Sequence, residues 1–123
     1  MDDIWLTGWI YQRPQVLNVY GPRGTVSYID HLKQAYSYDV QLRNQYSGLD
    51  LKSGLLAPQD IKPGVIYSED GVKVTAFLVN HKPVDPAYGY RIDFGERSVV
   101  ISGDTSFSQS LICLLYTSDA ADE

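Results

Sequence analysis

Residues 74–112 read VTAFLVNHKPVDPAYGYRIDFGERSVVISGDTSFSQSLI, and this stretch decides the fold. Lys73–Asn80 carries apolar residues on both faces toward its end, the pattern of a largely buried strand, and His81 follows at once. Pro83 and Pro86 stiffen a loop, after which Tyr88–Phe94 alternates like a strand. Gly95-Glu96-Arg97 makes a turn, and Ser98–Ser102 is a second buried strand running into Gly103-Asp104-Thr105. Ligand-type residues thus fall at two strand ends.

Outward from that stretch, the order is of α/β type. Asp70-Gly71 is a hairpin turn preceded by a short strand, Val65–Ser68. Gln45–Pro63, with its glycines and prolines, predicts an irregular connection. From Thr25, a candidate N-cap, apolar residues recur at Val26, Ile29, Leu32, Tyr36 and Val40, which predicts one amphipathic helix to about Arg43. Gly21-Pro22-Arg23-Gly24 before it is a strand-to-helix turn without the Lys-Ser/Thr of a phosphate loop, and Val16–Tyr20 is the strand. Ile4–Tyr11 fits a short helix with Trp5 and Trp9 on one face as core anchors.

The 123 residues are 44% hydrophobic with a formal charge of -5, and no basic block points to a charge-built nucleic-acid grip. No apolar run approaches the roughly 20 residues of a membrane-spanning helix, so no membrane partner is expected. One cysteine excludes a disulfide scaffold or a cysteine-built zinc site. Residues 113–123, CLLYTSDAADE, look like a translated sequencing-library adapter and are set apart as a non-native tail. Without them twelve acids face ten bases, and the cysteine is gone.

His81 and Asp104 carry the chemistry. A neutral imidazole and a carboxylate suit zinc or manganese, and rigid strand ends fix their positions. Gly103 permits the sharp turn that lifts Asp104 over the sheet edge. A carboxylate has two oxygens and can bridge two ions. Each residue type is also common in structural roles at such places, so spacing alone leaves both readings open. Ligands of one ion lie roughly 3–4 Å apart at the same edge, whereas structural residues need not. Arg91 reads as an outer residue of an edge strand, His31 as a solvated helix residue, and Tyr36, Tyr38 and Tyr46 as packing or interface residues.

The stretch 74–112 resembles the central part of metallo-β-lactamase-fold hydrolases, in the branch that contains ribonuclease Z. There a strand ends in a metal-ligand histidine, a Gly-Tyr-Arg strand follows, and an Arg-Ser-Val-Val strand carries Gly-Asp-Thr. DIWLTGW and VYGPRGT upstream look like the segment after the family's first metal motif, so the resemblance covers nearly all of residues 1–112. It implies a partial metallo-β-lactamase (αββα) fold over 1–112, a mixed β-sheet with a flanking helix. It implies His81 as a ligand to one metal and Asp104 as the bridging, catalytic ligand to both. The cofactors would be two divalent ions, zinc or manganese, and the full-length parent has room to be a homodimer.

The family's His-x-His-x-Asp-His motif and its late histidine have no counterpart here, so this chain alone is expected to be inactive and a poor metal binder. Only Lys82–Gly103 separates the two ligands, which leaves no room for the long arm of tRNA-processing members. That gap favours a metal-activated water acting on a small phosphate, sulfate or related ester. The alternatives are a ribonuclease Z-type tRNA 3′-end endonuclease with an RNA substrate, and a non-enzymatic α/β fragment.

Overall fold

Trp5 and Trp9 organise the first of two units, Met1–Asp60; the second begins at Ile61. The computed structural model describes residues 1–116. Both indoles project from α1 (Asp2–Ile10) and are almost wholly buried. Their Nε1–H groups donate to the carbonyls of Gly54 at 2.8 Å and Asp50 at 2.7 Å, so each ring supplies apolar area and satisfies its own donor. Those carbonyls flank the 3₁₀ turn Leu51–Gly54. Trp5, Ile29 and Leu56 form the core, packed by Leu17, Val19, Leu32, Tyr36 and Val40.

Three sequence expectations are corrected here. The single helix from Thr25 is two, α2 (Thr25–Ala35) and α3 (Ser37–Ser47), broken at Tyr36 with φ -97° and ψ 7°. The break is tertiary: the Tyr36 hydroxyl donates to Asp2 Oδ2 at 2.6 Å and its ring meets Trp5 edge-on with centroids 6.1 Å apart. Thr25 is not the N-cap. Gly24 holds that place in the left-handed region, and the Asp60 carboxylate reaches across to accept from the amides of Gly24 at 3.1 Å and Val26 at 3.0 Å. Those amide bonds hold the Asp60 carboxyl below the usual carboxylate range. The Gly21–Gly24 turn is therefore filled by the chain's own anion. Finally, Gln45–Pro63 is not irregular throughout, since Leu56–Asp60 forms β2, parallel to β1 (Leu17–Gly21) with Leu17 opposite Leu56. LAPQD neither alternates nor avoids proline, so only its pairing to β1 marks it as a strand.

The second unit is a four-stranded antiparallel meander, β3 (Gly64–Glu69), β4 (Val72–His81), β5 (Val84–Phe94) and β6 (Arg97–Ile101), in that order. Asp70 and Gly71 both take positive φ, 51° and 76°, as a two-residue hairpin turn demands. The expected loop through Pro83 and Pro86 is shorter: β5 already begins at Val84, and Pro86 lies inside it. Proline is tolerated there because the β4–β5 register shifts between Val79 and His81, leaving a place where no ladder donor is needed. Arg91 is not on an edge strand, because β6 covers that side of β5. Its side chain is only 15% exposed, donating to Asp93 at 2.8 Å and to the Leu114 carbonyl at 2.7 Å.

Helix α4 (Gln109–Tyr116) contacts β4 and runs through residue 112, where the tail reading sets its boundary; the rest of that tail lies outside the described residues. The architecture is mixed α/β, consistent with a partial metallo-β-lactamase-like fold, with parallel pairing confined to the first unit and antiparallel pairing to the second. No helix among the described residues is long and apolar enough to cross a membrane.

Candidate metal centre

His81 is the last residue of β4, and Asp104 stands three residues past the end of β6. These strands are not neighbours; β5 lies between them. The chain brings the two residues together by turning at Gly103. Its φ of +65° is one that residues with a Cβ rarely adopt, and a Cβ there would lie 3.1 Å from the Tyr88 carbonyl oxygen. The turn sets Asp104 Oδ2 3.6 Å from His81 Nε2. The carboxylate is 85% exposed and the imidazole 37%, so a ligand can reach both.

Two donors at about 2.0–2.2 Å from one tetrahedral ion lie roughly 3.3–3.6 Å apart, so this pair has the spacing of one edge of a coordination shell. A zinc site wants at least three protein ligands. No group of three or more His, Cys, Asp or Glu suited to a metal occurs among the described residues. The donor set thus fits a metal in chemistry and spacing, and fills only part of its shell.

The remaining candidates lie elsewhere. His31 is exposed on α2, its Nδ1 2.7 Å from the Ser27 carbonyl oxygen, and takes no part in the pair. Tyr36 packs in the first core, while Tyr38 and Tyr46 are exposed. A cleft of about 350 Å³ in the first unit, lined by Gln12, Arg13, Lys52 and Ser53 among others, includes neither His81 nor Asp104. What the sequence did not single out is the attachment of Thr105 and Ser106 to the end of β4. No local signal marked it, since Asn80 lies 25 and 26 residues before these two hydroxyls.

No family model matches the chain. Ribonuclease Z of Mycobacterium marinum is 30% identical over 113 residues, 85% of this chain and 39% of that protein. The chain is similar to ribonuclease Z. Ribonuclease Z of Mycobacterium sp. strain KMS is 31% identical over 106 residues, and that of Mycobacterium bovis strain BCG Pasteur is 28% identical over 123 residues, or 98% of this chain. The ribonuclease Z-like chain spans 35–44% of the length of these three relatives.

Proposed function

We propose that this ribonuclease Z-like chain supplies part of the metal centre of an RNA phosphodiester hydrolase, of the kind that trims tRNA 3′ ends. The observation that carries the reading is the 3.6 Å approach of His81 Nε2 to Asp104 Oδ2 at an exposed edge. Relatives named ribonuclease Z favour RNA over the smaller ester that the short Lys82–Gly103 interval suggested. A missing arm speaks only to how substrate is gripped, whereas similarity over most of the chain includes both ligand-bearing strand ends.

In this reading His81 and Asp104 would be among the residues that hold the metal. Two divalent ions, zinc or manganese, would supply an activated water and neutralise charge developing on the phosphate oxygens. His81 and Asp104 hold their donors on short turns at strand ends, so little reorganisation is needed on binding. A complete shell would need at least one further protein ligand besides these two.

The test uses the full-length parent protein with zinc or manganese, offered a precursor tRNA carrying a 3′ trailer and, in parallel, bis(p-nitrophenyl) phosphate. Cleavage of the RNA at a defined 3′ position is expected. Asp104→Asn should reduce it by more than the roughly 10- to 100-fold that loss of an outer-shell partner costs. Hydrolysis of the small ester alone, with RNA untouched, would return the preference to small substrates. Asp104→Asn at full activity would remove Asp104 from the centre altogether.

A further inference from the structure

Asn80, the residue before His81, has no register partner in β5: Val79 pairs with Ala87, and His81 with Val84. Asp85 and Pro86 lie opposite this gap, and Pro86 has no N–H to offer a carbonyl. A ladder interrupted here would leave the amide and carbonyl of Asn80 unpaired. The loop after β6 takes both. The Asn80 N–H donates to Thr105 Oγ1 at 3.1 Å. The Asn80 carbonyl accepts from the Ser106 amide at 2.8 Å and the Ser106 hydroxyl at 3.0 Å, with Thr105 Oγ1 at 3.2 Å. The two residues that follow Asp104 are thus bonded to the residue that precedes His81.

We infer that Thr105, assisted by Ser106, is the positioning residue of this centre: it pins the irregular end of β4 to the loop after β6 and so keeps His81 facing Asp104. The inference rests on the metal-centre reading for its purpose and on these hydrogen bonds for its content. Strands β4 and β6 share no ladder, and Asp104 itself is almost fully exposed. Without the pin, the ladder would constrain His81 while Asp104 swung on Gly103. Irregularities in strand pairing next to active sites commonly aim a side chain in this way. Here the aim is completed by a hydroxyl from another strand end. Thr105 touches neither substrate nor ion in this account; it acts through the backbone of Asn80.

The experiment is NMR on the 123-residue chain, comparing wild type with Thr105→Val, which keeps the shape and removes the hydroxyl, and Thr105→Ser, which restores it. Without metal, wild type should give a nuclear Overhauser contact between the His81 ring Hε1 and the Asp104 Hβ protons. Thr105→Val should lose it and Thr105→Ser regain it, with the β4–β5 amide shifts unchanged. Persistence of the contact in Thr105→Val, or its absence from wild type, overturns the inference. So does collapse of the β4–β5 amide dispersion in Thr105→Val, which would make Thr105 a folding residue.

Manganese added to the same samples judges the reading beneath. In wild type it should broaden the His81 ring before that of His31, and Thr105→Val should need roughly 10- to 100-fold more for equal broadening. Equal broadening of both histidines in wild type would sink the metal centre and leave the Overhauser result to decide the pin. Equal manganese requirements in wild type and Thr105→Val would overturn the inference and leave the metal centre standing.

Discussion

The two units secure their turns by opposite means. In Met1–Asp60, side chains reach backbone groups far away in sequence: Trp5 to Gly54, Trp9 to Asp50, Asp60 to Gly24 and Val26. In the second unit an antiparallel ladder does most of the work, and side chains from a distant loop bond to Asn80 where the β4–β5 register shifts. A ladder forms from neighbouring strands and tolerates changes on its outer face, whereas a unit held by single reaching side chains fails when one is removed. The candidate centre lies at a place in the second unit that borrows the first unit's method, as Arg91 reaching the Leu114 carbonyl does elsewhere in that unit.

The sharpest way to break this contrast is Trp9→Ala. Trp9 is 1% exposed and anchors the 3₁₀ turn, so its loss should cost about 3–5 kcal/mol. Hydrogen exchange should show α1 and α2 amides losing protection while β4–β5 amides keep theirs; equal loss in both would erase the distinction. Next comes Gly89→Ala, the ladder's own weak point. A Cβ there would fall 2.5 Å from Phe77 Cζ, an overpacking worth about 1–3 kcal/mol, and Phe77→Leu in the same chain should recover much of it in urea denaturation.

Gly103→Ala should cost about 1–2 kcal/mol for its left-handed backbone. It should also weaken the His81–Asp104 Overhauser contact out of proportion to that loss. Acid gives the smallest effect. The Asp60 and Asp2 carboxyls titrate below their ordinary value of 3.8 when folded, Asp60 through amides and Asp2 chiefly through the Tyr36 hydroxyl. Each therefore contributes stability that is complete above the unfolded value and lost as pH falls through the lower, folded one. Melting temperature of the first unit should drop on acidification below about pH 4, and Asp60→Asn should flatten that dependence.

The same contrast explains what the sequence disclosed. Strands of the second unit were legible because apolar runs, the alternation of Tyr88–Phe94 and Asp70-Gly71 are local signals, although β6, read as buried, leaves Val99 and Ile101 exposed. The helix break at Tyr36 and strand β2 were not, since one depends on Asp2 and Trp5 and the other on β1, none of them near in sequence. His81 and Asp104 could be named only through a resemblance, because either residue in isolation reads equally well as structural. Thr105 stayed unread because its partner is a backbone group 25 residues away, exposed by a gap in pairing that no pattern of side chains announces.

Phe77 faces Gly89 across the hairpin, with Tyr88 and Tyr90 on either side of that glycine. Sliding β4 along β5 by a single step would bring the phenyl ring opposite a tyrosine, where the vacancy it needs does not exist, and would send His81 to the reverse side of the sheet. The missing side chain at position 89 is therefore a keyway. It admits one alignment of the hairpin, and four residues farther along β4 that alignment decides which way the imidazole looks.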